Sequence, residues 1–193
     1  MSTNGICVQK PPSDAAPPAG SLSVLLPDLR RHPELDYDTL AYHVAQSDAT
    51  AESAYWHAAT NEARSFLEAL IVGMLHVVEP DSAEKPRGST NGAPFRCYRR
   101  TLLDAGFIDA DENELLQYVY SVASAKGSHP GVTTEAWSRL ARRMVHVAAQ
   151  YFLARYEAWK SNGRRTTRPA ASAPQPPNTW RRRRLTLTRR WLQ

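Results

Sequence analysis

The stretch SAKGSHPGVTTEAW, residues 124–137, gathers the side chains best suited to chemistry. His129 stands between Ser128 and Pro130, with Gly131 beyond and Lys126 shortly before. An imidazole with an unperturbed pKa near ~6.5 gives or takes a proton near neutrality. Metal-free cleavage of RNA needs such a group. A base takes the 2′-hydroxyl proton, an acid protonates the leaving oxygen, and a cation stabilises the charged phosphorus centre. Lys126 is the nearest candidate cation. The turn itself has other causes. Gly127 suits a helix C-terminus, a residue before proline is pushed out of the helical region, and His-Pro-Gly-Val fits a type II turn. Thr133 or Thr134 can cap the next helix. None of this requires Ser128 or His129, so that pair is the surplus. The plainer alternative is that His129 only hydrogen-bonds across the turn.

Two helices must position this corner. One starts at Asp111, with Glu114 three residues on as a capping pair, and its apolar face uses Leu115, Val119, Val122 and Ala123. The other covers about Thr134–Lys160, with Trp137, Leu140, Ala141, Met144, Val145, Ala148, Tyr151, Phe152, Tyr156 and Trp159 at helical spacing. Upstream, a short helix is expected over about Tyr37–Gln46 and a long one from about Ala51 to Val78. The long one carries Tyr55, Ala59, Ala63, Phe66, Leu67, Leu70, Ile71, Met74 and Val78 on one face. A further helix spans about Phe95–Asp104, with Gly106 at its C′ position and Phe107 covering the last turn. The segment SLSVLLPDLRRHPELD reads as an irregular arm packed on the body, and EPDSAEKPRGSTNGAP as a polar loop. No strand-like alternation of useful length is present. The expected fold is all-α, a four- to five-helix bundle over residues 21–160.

The ends differ from this body. Residues 1–20 are rich in Pro, Ala, Ser and Gly and read as disordered. The 193-residue chain has a formal charge of +5, but residues 161–193 hold nine arginines and no acid. Of the 24 Lys and Arg, 15 remain for the rest of the chain against 19 Asp and Glu, so that part is mildly acidic. The ending TWRRRRLTLTRRWLQ offers Arg181, Arg182, Arg183, Arg184, Arg189 and Arg190 for phosphate contacts, with Trp180 and Trp191 for base stacking. The bland alternative is a solvated, floppy tail.

Several chemistries are excluded on residues alone. There is no Gly-rich phosphate loop, no dinucleotide fingerprint and no G-x-S-x-G elbow. His32, His43, His57, His76, His129 and His146 are scattered, and none follows a Glu by three residues. Cys7 and Cys97 lack zinc spacing. Neither a metal nor a cofactor is expected. So few cysteines fit a reducing, cytoplasmic setting. No apolar segment follows a basic start as in a signal peptide, and the longest apolar run, around Ala69–Leu75, is too short to cross a bilayer.

A long helix containing NEARSFLEAL, followed by a helix–GSHPG–helix unit, resembles the HEPN superfamily, and more narrowly the C-terminal domains of bacterial abortive-infection proteins. The resemblance covers about residues 50–160. It implies an all-α bundle of four or five helices, usually a homodimer. It also implies either a metal-independent ribonuclease of phage defence or toxin–antitoxin systems, or a non-catalytic binding or dimerisation module such as an antitoxin or sensor. RNA or a partner protein of a defence system would be its ligand. His129 matches the family's histidine. The family's arginine would fall at Val122, Ala123 or Ser124, none of which is basic, which leaves Arg64 on the long helix as a substitute cation. Arg64 is equally placed to pair with Glu68 one turn on.

A third alternative rests on RTLLDAGFIDADENELLQY, which resembles a helix–turn–helix with Gly106 at the turn. Its would-be recognition helix opens with Asp111, Glu112, Asn113 and Glu114, which would repel DNA phosphate.

Overall fold

A computed structural model of the chain describes residues 21–83, 94–127 and 133–163. Among them the protein is all-α. Its elements are α1 (Leu26–Leu29), α2 (Tyr37–Glu52), α3 (Trp56–Val78), α4 (Pro80–Ala83), α5 (Pro94–Asp104), α6 (Ala110–Gly127) and α7 (Glu135–Ser161). Single 3₁₀ turns at Leu22–Leu25 and Pro33–Leu35 flank α1. No described helix is long and apolar enough to cross a membrane.

Helix α3 is the central rod. Ala59, Ala63, Phe66, Leu67, Leu70, Ile71, Met74 and Leu75 are all buried along it. Burying one large apolar side chain contributes about 1.5–3 kcal/mol, so this broad face is what draws α2, α6 and α7 around it. Side-chain pairs fix the directions. His43 meets Glu62 and Ser47 meets the Ala59 carbonyl, so α2 runs antiparallel to α3. Thr60 meets Ser138 at one end. At the other, Leu35 lies on Gly73 while neighbouring Glu34 bonds Tyr156 and Lys160, so α3 and α7 run together. Glu112, near the start of α6, meets Tyr151 and Arg155 in the second half of α7, so α6 is antiparallel to α7.

The N-terminal arm, residues 21–36, is part of the core. Leu22, Leu25, Leu29 and Leu35 are fully buried. Its approach to α3 favours glycine, since a Cβ on Gly73 would lie 3.0 Å from the Leu35 carbonyl oxygen, tighter than nearly all real Cβ contacts. The arm's irregular form follows from Pro27 and Pro33, which sit at N1 or N2 of their short helices where a missing N–H costs nothing.

Three sequence expectations shift. The long helix does not begin at Ala51. Helix α2 continues to Glu52, the chain turns over Ser53–Tyr55, and α3 starts at Trp56. The turn is a Schellman motif, with Tyr55 N–H donating to the Thr50 carbonyl at 2.8 Å and Ala54 N–H to that of Ala51 at 3.1 Å. Ala54 takes the left-handed position, φ 60°, and Tyr55 is exposed rather than core. Next, α6 is capped by Asp109 and Glu112, not by Asp111 and Glu114. Asp109 Oδ1 accepts from Glu112 N–H at 2.8 Å and Glu112 Oε2 accepts from Asp109 N–H at 2.7 Å, a complete capping box. Leu116, not Leu115, is the buried leucine of that helix, on one face with Val119 and Ala123. Finally, Leu140 and Tyr151 of α7 are exposed rather than core.

Other expectations are met. Gly106 has φ 70°, with Gly106 N–H bonded to Leu103 and Phe107 N–H to Leu102, both 2.9 Å, and Phe107 is buried. Thr134 caps α7 by accepting from Trp137 N–H at 3.3 Å.

Candidate functional site

Helix α6 ends and α7 begins at the end of the bundle where α2 also turns into α3. Lys126 belongs to the last turn of α6. Ser128 and His129 lie outside the described residues. So do Trp180, Arg181, Arg182, Arg183, Arg184, Arg189, Arg190 and Trp191.

Arg64 is described, and it is engaged. Its Nη1 donates to Glu68 Oε1 at 3.2 Å and to the Tyr120 hydroxyl at 3.1 Å, and Nη2 donates to Asn61 Oδ1 at 2.9 Å. Its guanidinium also lies over the Tyr120 ring, 5.8 Å from the centroid, and that ring stacks on Phe95 at 4.2 Å. Burial pushes the Tyr120 hydroxyl pKa up, and neighbouring Glu68 adds to the shift against Arg64. Arg64 therefore braces α3 against α6. Tyr120 stands seven residues before the end of α6, about 10 Å along the axis at ~1.5 Å per residue. Arg64 thus meets α6 about two turns back from its C-terminal end.

The sequence reading missed two other polar clusters. Arg142 on α7 pairs with Asp48 on α2, and its Nε donates to Ser47 Oγ at 3.2 Å. Ser47 in turn donates to the Ala59 carbonyl at 3.0 Å. Asp48 also accepts from the Ser21 hydroxyl and from Ser23 N–H, which ties the arm to the bundle. His146 Nδ1 lies 3.1 Å from the Ser21 carbonyl. On α5, buried Arg99 donates to both the carbonyl and Oδ1 of Asn113 at 2.7 Å, and to Gln117. Burial and neighbouring Arg96 lower its pKa. One signal was legible for Arg142, since it sits among Ser138, Ala141 and Val145 on the core side of the α7 periodicity. Nothing comparable marked Asp48.

At the first turns of α7 an open hollow of about 600 Å³ is lined by Thr134, Glu135, Ala136, Arg139, Leu140 and Arg143. Glu135 holds Arg139 at 2.5 Å. Among the described residues no three His, Cys, Asp or Glu side chains come together as a metal ion would need. The acids that begin α6 have structural tasks, since Asp109 and Glu112 close the capping box and Glu112 receives Tyr151 and Arg155.

Comparison with known proteins finds no matching family model, no matching curated protein and no matching solved structure.

Proposed function

We propose that the chain is a HEPN-type effector of a bacterial defence or toxin–antitoxin system, acting on RNA in the cytoplasm. The basic tail holds RNA by charge, and His129, with Ser128 and Lys126 near it, carries proton transfer for cleavage without metal. The observation that carries the reading is the segregation of charge. Nine arginines and no acid occupy residues 161–193, while the rest of the chain has more acids than bases. Like-charged arginines interspersed with tryptophan suit a phosphate backbone with stackable bases. The test is incubation of the purified chain and of its His129→Ala variant with total RNA in a chelator. Cleavage by the former and not by the latter is expected. Cleavage by both equally would remove His129 from the reaction.

The non-catalytic alternative is favoured by one specific observation. Arg64, the replacement for the family's missing arginine, is spent on Glu68, Asn61 and Tyr120. On that reading the chain binds RNA or a partner protein, and neither form of the protein cleaves.

A further inference from the structure

Residues 101–125 contain five acids, Asp104, Asp109, Asp111, Glu112 and Glu114, and no Lys, Arg or His. Residues 164–193 show the converse, nine arginines and no acid. The fold spends some of these acids. Asp104 pairs with Arg100, Asp109 and Glu112 close the capping box, and Glu112 also receives Arg155. Buried Arg99 is taken by Asn113 and Gln117. Asp111 and Glu114 are exposed and make no ion pair among the described residues.

The helix face beside them is apolar and uncovered. Leu115 (42%) and Tyr118 (63%) are exposed one turn beyond Asp111 and Glu114. Val147 and Tyr151 are exposed on α7. The Tyr151 hydroxyl donates to Glu112 Oε1 at 2.6 Å, which sets the level of α6 on α7. Counting away from that contact at ~1.5 Å per residue brings Tyr118 level with Val147. The result is an apolar strip edged by unspent carboxylates, and such a patch marks an interaction surface.

We propose that this strip is the docking site of the chain's own segment 180–193, and that RNA competes with the strip for the same arginines. Arg181–Arg184 and Arg189–Arg190 bracket Leu185 and Leu187. The segment thus offers cations beside apolar side chains, and the strip offers carboxylates beside apolar side chains. Its origin is close by. Helix α7 ends at Ser161, about 15 Å along its axis from Tyr151 at ~1.5 Å per residue. Residues 164–179 span up to about 55 Å, ample to bring the segment back to α6. A tether of this kind gives an effective concentration on the order of mM, so contacts that are individually weak at a surface suffice. Nucleic acid is repelled by Asp111 and Glu114, and the tail of another copy lacks the tether. The docking stands on the α6–α7 face and the charge pattern. Only the competition rests on the proposed RNA binding.

The test is photo-cross-linking of the full chain with benzoylphenylalanine in place of exposed Tyr118, the products mapped by mass spectrometry. Cross-links within one chain to residues 180–193 are expected. Raised salt should reduce them, and Asp111→Asn with Glu114→Gln should cut them about fivefold or more. Asp38→Asn with Glu52→Gln removes the same charge from α2 and should leave them in place. In the same proteins, RNA affinity should rise about threefold to tenfold with the α6 pair, because more of the tail is free to bind. No cross-link to the tail, or a yield indifferent to the α6 pair, overturns the docking. Cross-links only between chains, rising with concentration, overturn it in favour of another copy's tail. A gain in RNA affinity that the α2 pair reproduces in full overturns the competition. A chain that binds no RNA in any form removes the RNA reading, and the cross-links still decide the docking.

Discussion

Asp48 of α2 and Arg142 of α7 form an ion pair across the bundle, and the second oxygen of Asp48 holds the N-terminal arm through Ser21 and Ser23 N–H. One carboxylate thus joins three segments that are far apart in sequence. Removing it leaves a mostly buried guanidinium without its counter-charge and frees the arm from α2.

Asp48→Ala should therefore cost about 3–5 kcal/mol, the range for breaking one partner out of a buried pair. Chemical denaturation measures it. Hydrogen exchange should further show the backbone around Ser21–Leu25 losing protection before the rest of the bundle does. A loss below about 1 kcal/mol, typical of an exposed pair, would mean that the contact is not maintained in solution.

The other end of the arm gives a pH signature. Burial pushes the Glu34 carboxyl up, but hydrogen bonds from Lys160 and Tyr156, with the Lys160 charge, outweigh it and hold the pKa at about 2 rather than 4.5. A carboxyl with a depressed folded-state pKa contributes its full stability above the unfolded value and loses it as pH falls through the folded one. The unfolding free energy should therefore decline as pH drops from about 4.5 to about 2. Glu34→Gln should flatten that decline while leaving the core intact. Denaturant midpoints measured across this window for both proteins decide the matter.

Ala54 holds a left-handed conformation, φ 60°, at the C′ position between α2 and α3. Most L-residues resist it by roughly 1–2 kcal/mol, whereas glycine does not. Glycine gives back about 0.4–1 kcal/mol through the freer unfolded chain. Ala54→Gly should thus leave the protein equally stable or up to about 1.6 kcal/mol more stable, seen as an unchanged or raised denaturant midpoint. A clear loss would show that the turn is not populated as described.

The same alanine explains much of what the sequence left hidden. Where glycine marked a helix end, at Gly106, the motif was legible down to its covering residue Phe107. Where alanine does the same task, at Ala54, the pattern reads on as helix and two rods merge into one. Periodicity found the right helices but not always the right face. On α6 adjacent leucines stand at Leu115 and Leu116, and only Leu116 shares the core face with Val119 and Ala123. On α7 two apolar stripes lie side by side, and spacing alone does not say which one meets α3. The pairing within the polar clusters was illegible for a different reason. Asp48 and Arg142 are ordinary surface residue types, and only the fold brings them together. Of the candidate site, the positions of Lys126 and Thr134 at facing helix ends were readable, while the diversion of Arg64 to Tyr120 depended on a partner 56 positions away.

The most direct measurement is the salt dependence of RNA binding by the full chain, compared with a variant carrying glutamine at positions 181–184. For single strands the slope of log affinity against log salt is about −0.7 per phosphate contacted. The account predicts steep weakening with salt, and a slope shallower by up to about 3 in the variant, together with a large loss of affinity at low salt. Binding that is indifferent to ionic strength, or equally tight in both proteins, would contradict it.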